Sequence, residues 1–175
     1  TLKTEYGLDR IAYVDIDAHH GDGVYYAFED DPAVWTADIH QDGGTLFPGT
    51  GAAEEEGTGP GRGTKLNIPL EPGAGPAVFQ EAWTRVEAHL AKARPQIILL
   101  QCGADSLAGD PLTQLALRPD THKQAAERLV AIAQENGHER VLALGGGGYN
   151  RTNLGQGWCA VLEALLGDEA SGGSA

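Results

Sequence analysis

Five short apolar runs punctuate the chain, at residues 11–16, 34–39, 65–68, 96–102 and 140–144; most are rich in Ile, Val and Leu, and several are apolar on both faces. Strands of that kind are buried on two sides, as in a parallel sheet. Between them, Val78, Phe79, Ala82, Trp83, Val86 and Leu90 repeat at the helical period, as do Ala125, Ala126, Leu129, Val130 and Ala133. Strands alternating with helices predict an α/β fold. Pro76 and Pro119 stand where helices start, Pro95 where one ends, and Gly137 after Asn136 where another stops. A last helix is predicted over 153–166. Residues 1–167 read as one domain and 168–175 as a small, polar tail that frays. At 175 residues and 41% hydrophobic content, the chain has enough apolar surface for one packed core.

The densest chemistry follows the first strand. Asp15-Ile16-Asp17-Ala18-His19-His20-Gly21-Asp22 sets three carboxylates and two imidazoles where that strand runs out, the edge at which open α/β sheets bind ligands. Burying these groups together without a cation would cost heavily in desolvation and like-charge repulsion. Catalytic zinc takes three protein ligands and keeps one position open. Asp17 and His19 supply two, and Asp105, after the apolar 96–102 strand, is the third. Two carboxylates and one imidazole form a harder set than three histidines, so iron(II), cobalt or manganese can compete. Asp15 shares a strand face with Asp17, and His20 with Asp22 could form a His–carboxylate pair that helps orient the site.

The run Gly145-Gly146-Gly147-Gly148-Tyr149-Asn150 lacks the G-x-G-x-x-G spacing of a dinucleotide site. It suits close approach of backbone to a ligand, with the Tyr149 hydroxyl placed to polarise a carbonyl. No general base is evident. His89, His122 and His138 lie in helical or helix-end contexts and read as surface residues, while His40 opens a glycine-rich loop over 40–64 and pairs with nothing. That loop carries Leu46-Phe47-Pro48-Gly49-Thr50-Gly51, which fits a channel wall or a packed Ω-loop equally well. Glu54-Glu55-Glu56 reads as solvated surface.

A net charge of −13 disfavours nucleic acid and anionic membranes as partners and tolerates cationic substrates. There is no apolar run of about 18 residues and no secretory leader, so the expected location is cytoplasmic. Cys102 and Cys159 read as buried thiols rather than a disulfide. The chain has no methionine, even at position 1, and enters its first strand within about ten residues, as an excerpt or a processed protein would.

Four blocks in order, D-I-D-A-H-H-G-D-G, I-H-Q-D-G with L-F-P-G-T-G, L-Q-C-G-A-D-S-L-A-G-D-P-L and A-L-G-G-G-G-Y-N, resemble the zinc-dependent histone deacetylase superfamily, especially its bacterial acetoin-utilisation type. The resemblance runs from about Ile11 to Leu166. It implies a three-layer α/β sandwich with a mostly parallel sheet, of the arginase/deacetylase kind and incomplete relative to the family domain. It implies zinc on Asp17, His19 and Asp105, Tyr149 stabilising the tetrahedral intermediate of an acyl-lysine amide, and Phe47, Leu112 and Gly147 along the acyl channel. Asp15 and Asp22 match carboxylates that hydrogen-bond a catalytic histidine pair. A structural potassium would use Asp15, Asp17 and His19 with Asp38 and Ile39, although many relatives carry serine at the position of Asp38. A second monovalent ion would sit among main-chain oxygens of Phe28, Asp31, Val34 and Thr64.

In the family the histidine pair lies upstream of the D-I-D block, where this sequence has no counterpart. His19-His20 is not that pair, because His19 matches a zinc ligand. The chain is therefore expected to bind metal, to turn over poorly alone, and to expose a sheet edge and apolar surface that favour homo-oligomers or aggregation. Acetylated lysine, acetylated polyamines and small acylated amines all remain as substrates. Two alternatives compete: a binuclear manganese ureohydrolase of the arginase type, through Asp17-Ala18-His19 with Asp105 and Asp110, and a metal-binding or acyl-lysine-recognising remnant without turnover.

Overall fold

The computed structural model describes residues 1–167, so the proposed fraying tail lies outside the described residues. The elements run β1 (Ile11–Asp15), α1 (Asp22–Ala27), β2 (Val34–Gln41), β3 (Lys65–Leu70), α2 (Pro76–Ala93), β4 (Ile97–Gln101), α3 (Pro119–Glu135), β5 (Val141–Leu144) and α4 (Arg151–Leu166). All four strand pairings are parallel, in the order β3-β2-β1-β4-β5. The chain winds outward from β1 to β3, then returns to the other side of β1 for β4. The point of reversal lies between β1 and β4, where α/β sheets open a crevice at their carboxyl ends.

Alternation along the strands sends Ala12, Val14, Ala37, Ile39, Ile98 and Leu100 into one buried face. Helices α2 and α3 cover it through Phe79, Trp83, Val86, Leu90 and Leu129, with Phe79 and Trp83 stacked at 5.6 Å, and α4 packs on α3. Each such side chain contributes roughly 1.5–3 kcal/mol by leaving water. The opposite face carries Ile11, Tyr13, Val34 and Leu99. There α1 and the first residues of the chain border an open cleft of about 630 Å³ that extends to Leu144, and Leu142 and Leu144 on the edge strand β5 are exposed.

The predicted helix punctuation agrees with the structure. Pro76 and Pro119 open α2 and α3, the left-handed Arg94 (φ 45°) precedes Pro95, and Gly137 (φ 80°) follows the end of α3. Helix α4 starts two residues earlier than predicted, because the Asn150 side chain accepts the amides of Thr152 (3.0 Å) and Asn153 (3.3 Å). β3 runs on to Leu70 through Pro69; on an edge strand a missing N–H leaves no ladder bond unmade. The six-residue α1 had no periodic signal of its own.

The charged and cysteine assignments need correction. Glu55 is not merely solvated: its carboxylate accepts the amides of Gly51 (3.1 Å) and Ala52 (2.9 Å) and the Tyr26 hydroxyl (3.0 Å), closing the 51–55 turn. Cys102 is buried as predicted, but Cys159 is exposed, on the outer side of α4.

Candidate metal centre

Asp17 and His19 follow the end of β1, and Asp105 sits in a 3₁₀ turn after β4, so the two strand ends flanking the point of reversal supply all three predicted ligands. Hydrogen bonds involving the main chain and two side chains stitch these ends together. Ile16 N–H donates to Gln101 O (3.0 Å), Ser106 Oγ to Ile16 O (2.8 Å), and Ala18 N–H to Asp105 Oδ1 (2.9 Å). One potential ligand atom from each of Asp17, His19 and Asp105 falls within 4.8 Å of the others. His19 Nδ1 is 3.0 Å from Asp17 Oδ1 and 2.9 Å from Asp105 Oδ2. One ring nitrogen carries at most one proton and cannot satisfy both carboxylates. Asp105 Oδ2 is accordingly buried without a hydrogen bond. Such an orphaned carboxylate oxygen fits a bound cation.

The surroundings favour the charged forms of Asp17 and His19 but not that of Asp105. Burial works against the Asp17 carboxylate, but His19, Gln101 Nε2 (3.0 Å) and Gly147 N–H (2.7 Å) prevail and bring it down to about 2. Burial raises Asp105. The Asp105 carboxylate, then that of Asp17, both within about 3 Å of Nδ1, push His19 up to about 10. Glycine is a steric requirement here. A Cβ on Gly147 would stand 1.9 Å from Asp105 Oδ2, and one on Gly103 2.0 Å from Asp17 Oδ2.

Asp15 pairs in register with Asp38 across β1 and β2, and both are buried. Asp15 accepts Asp17 N–H (3.0 Å) and the Tyr13 hydroxyl (2.9 Å); Asp38 Oδ2 accepts Gly21 N–H (2.8 Å). Burial, then Asp38 and Asp17, holds Asp15 well above the usual carboxylate range. Ile39 points to the opposite, apolar face and is buried, so only its main chain can reach an ion there.

The histidines depart most from expectation. His20 and Asp22 form no pair: His20 Nδ1 meets Thr50 Oγ1 (2.8 Å), and Asp22 opens α1. His40 is not isolated. Its ring lies 4.9 Å from that of His20, Nδ1 is 2.7 Å from Asp38 Oδ1, and Nε2 is 3.0 Å from Gly51 O. Gly51, at φ 87°, is the residue that lets the loop close on these rings, since a Cβ would stand 2.5 Å from His40 Nε2. His89, His122 and His138 are buried rather than superficial, each bonding a main-chain oxygen, of Thr64, Gly103 and Pro95 respectively.

Two residues that hold the site went unremarked in the sequence. Gln101 bridges Asp17 and the Gly103 amide (2.7 Å), and Thr113 Oγ1 bonds Asp105 O. A glutamine inside the apolar 96–102 run was the available signal; Thr113 offered none.

A family model described as the histone deacetylase domain matches residues 1–165. The chain belongs to the histone deacetylase family. It is 39% identical over 142 residues to acetoin utilization protein AcuC of Bacillus subtilis, covering 81% of this chain and 37% of AcuC. The solved histone deacetylase Clr3 superposes with a TM-score of 0.88 at 32% identity, over 94% of this chain and 28% of Clr3. An acetylpolyamine aminohydrolase from Burkholderia pseudomallei gives 0.81 at 26%, over 90% of this chain and 45% of that structure. The chain thus spans less than half the length of these relatives. Within this deacetylase domain, Phe47 and Leu112 are exposed, 78% and 58%, and Gly147 adjoins the metal cluster. Tyr149 is half-exposed, its amide held by Asp110 Oδ2 (2.8 Å). The arginase reading is not favoured: Asp110 spends its carboxylate on the amides of Tyr149 and Leu112 (2.9 Å), and among the described residues the one group of three or more side chains placed to hold a metal is Asp17, His19 and Asp105.

Proposed function

We propose that this chain carries the metal-binding and carbonyl-polarising part of a zinc-dependent deacetylase that hydrolyses an acyl-lysine or acetylated-amine amide. The observation that carries the reading is the convergence of Asp17, His19 and Asp105 at the β1–β4 crevice with Asp105 Oδ2 left unpartnered. Bound there, zinc supplies Lewis acidity and lowers the pKa of water. Asp17 and Asp105 give the site its negative charge, and Gln101 and the Gly147 amide fix Asp17. The phenol of Tyr149 is raised by burial, then by Asp105, Asp17 and Asp110, so it stays protonated and able to donate to a developing oxyanion. Phe47 and Leu112 offer apolar surface to the substrate's aliphatic stem. Asp15 and Asp38, register partners on one face of the sheet, offer oxygen ligands to a structural potassium.

The general base is the part this chain does not present. His19 faces two carboxylates, His20 meets Thr50, His40 is held between Asp38 and Gly51 O, and His122 bonds Gly103 O. In the family that the sequence resembles, the catalytic histidine pair lies upstream of the D-I-D block, which supports a base from outside the 175 residues. The test compares the protein at its natural length with the 175-residue polypeptide, using an acetyl-lysine peptide and metal analysis. We expect one zinc per chain, lost in Asp105→Asn, chelator-sensitive turnover at natural length, and at least about 100-fold slower turnover by the polypeptide alone. Full turnover after metal removal would overturn the zinc reading; equal rates for the two lengths would overturn the placement of the base.

A further inference from the structure

The second monovalent ion that the resemblance implies would lie among the carbonyls of Phe28, Asp31, Val34 and Thr64, and in this protein those oxygens already have donors. Lys65, the first residue of β3, is buried, and its Nζ donates to Val34 O (2.6 Å), Asp31 O (3.2 Å) and Thr64 Oγ1 (2.5 Å). An ammonium has three N–H donors, and all three are matched. Phe28 O accepts Asp31 N–H (3.0 Å); Thr64 O accepts Thr36 N–H (3.0 Å) and faces His89 Nε2 (3.3 Å). The loop is shaped to the lysine stem. Gly57 takes φ 92°, and a Cβ there would stand 2.9 Å from Lys65 Cγ.

We infer that Lys65 is the resident cation of this pocket: its ammonium replaces the second monovalent ion, so the chain ties β3 to the 31–34 turn without binding potassium there. An alkali ion on Asp31 O and Val34 O would have to share the volume of Nζ and would face its charge at contact distance, which a low-dielectric interior does not tolerate. Burial draws Lys65 down to about 8, opposed by Asp31 and Asp30, and the group stays largely protonated at neutral pH. The inference does not depend on zinc or on deacetylation.

Thallium(I), a potassium analogue with strong anomalous scattering, locates such ions in crystals of the protein. We expect no thallium peak at bonding distance from Asp31 O and Val34 O in the wild type, and one there in Lys65→Ser. In choline chloride the variant should melt several degrees below the wild type, and potassium chloride at equal ionic strength should recover more for the variant than for the wild type. Any potassium at Asp15–Asp38 is common to both proteins and cancels. A thallium peak on those carbonyls in the wild type overturns the inference, as does a variant that melts with the wild type in choline chloride. Should Lys65→Ser fail to fold, the wild-type thallium map still decides.

Discussion

Gln101 does for the metal cluster what its neighbours in sequence do for the core. Every second residue of β4 enters the apolar face, and Gln101, on the other parity, is left at the strand end with one amide for Asp17 and one carbonyl for Gly103. Groups that orient metal ligands typically tune affinity by about 10–100-fold. We therefore expect Gln101→Ala to weaken zinc binding by about that factor while leaving the melting temperature of the metal-free protein nearly unchanged, as measured by competition with a chromogenic chelator. An unchanged zinc affinity would reduce Gln101 to a packing residue. The three ligands were legible because Asp, Asp and His at strand ends have few other reasons to cluster. Their geometry was not, because Gly103 and Gly147 set it by making room, and a glycine in sequence does not say for what.

At the level of elements, α2 meets β2 and β3 through a histidine that the helical period alone put on the surface. His89 is 8% exposed, its ring 4.9 Å from that of Trp35 and its Nε2 on Thr64 O. Burial lowers it to about 4. The folded protein thus keeps His89 neutral down to pH about 4, whereas the unfolded chain protonates it from about 6.5. In that window the unfolded state binds more protons, so stability is fully present above 6.5 and is lost as pH falls toward 4. The expected loss from this residue is about 3 kcal/mol. Urea midpoints at pH 7 and pH 4.5 should separate more for the wild type than for His89→Gln. Equal separations would mean that the histidine does not titrate differently in the folded state. Helix ends were readable, since proline and glycine act through local sterics; which face of α2 is buried at His89 depends on the loop that brings Thr64 beneath it.

For the whole molecule, the uneven covering of the sheet is the dominant feature. One face lies under α2 and α3, while the other carries the 630 Å³ cleft and ends at Leu142 and Leu144, 51% and 39% exposed. Apolar surface on an edge strand favours association. We expect the 175-residue polypeptide handled alone to elute above monomer size on gel filtration, and Leu142→Lys with Leu144→Lys to shift it toward monomer; monomeric elution of the unsubstituted polypeptide would refute this. The alternating strand and helix pattern determined the α/β class, the parallel sheet and the placing of Asp17, His19 and Asp105 at strand ends, because each rests on periodicities within about 20 residues. Strand order, the pairing of His40 with Asp38 and His20, the burial of His89, His122 and His138, and the occupation of the Val34 carbonyl by Lys65 were decided only in three dimensions. Each of these depends on donors and acceptors brought together from distant parts of the chain, and a buried polar group takes whichever partner the fold delivers.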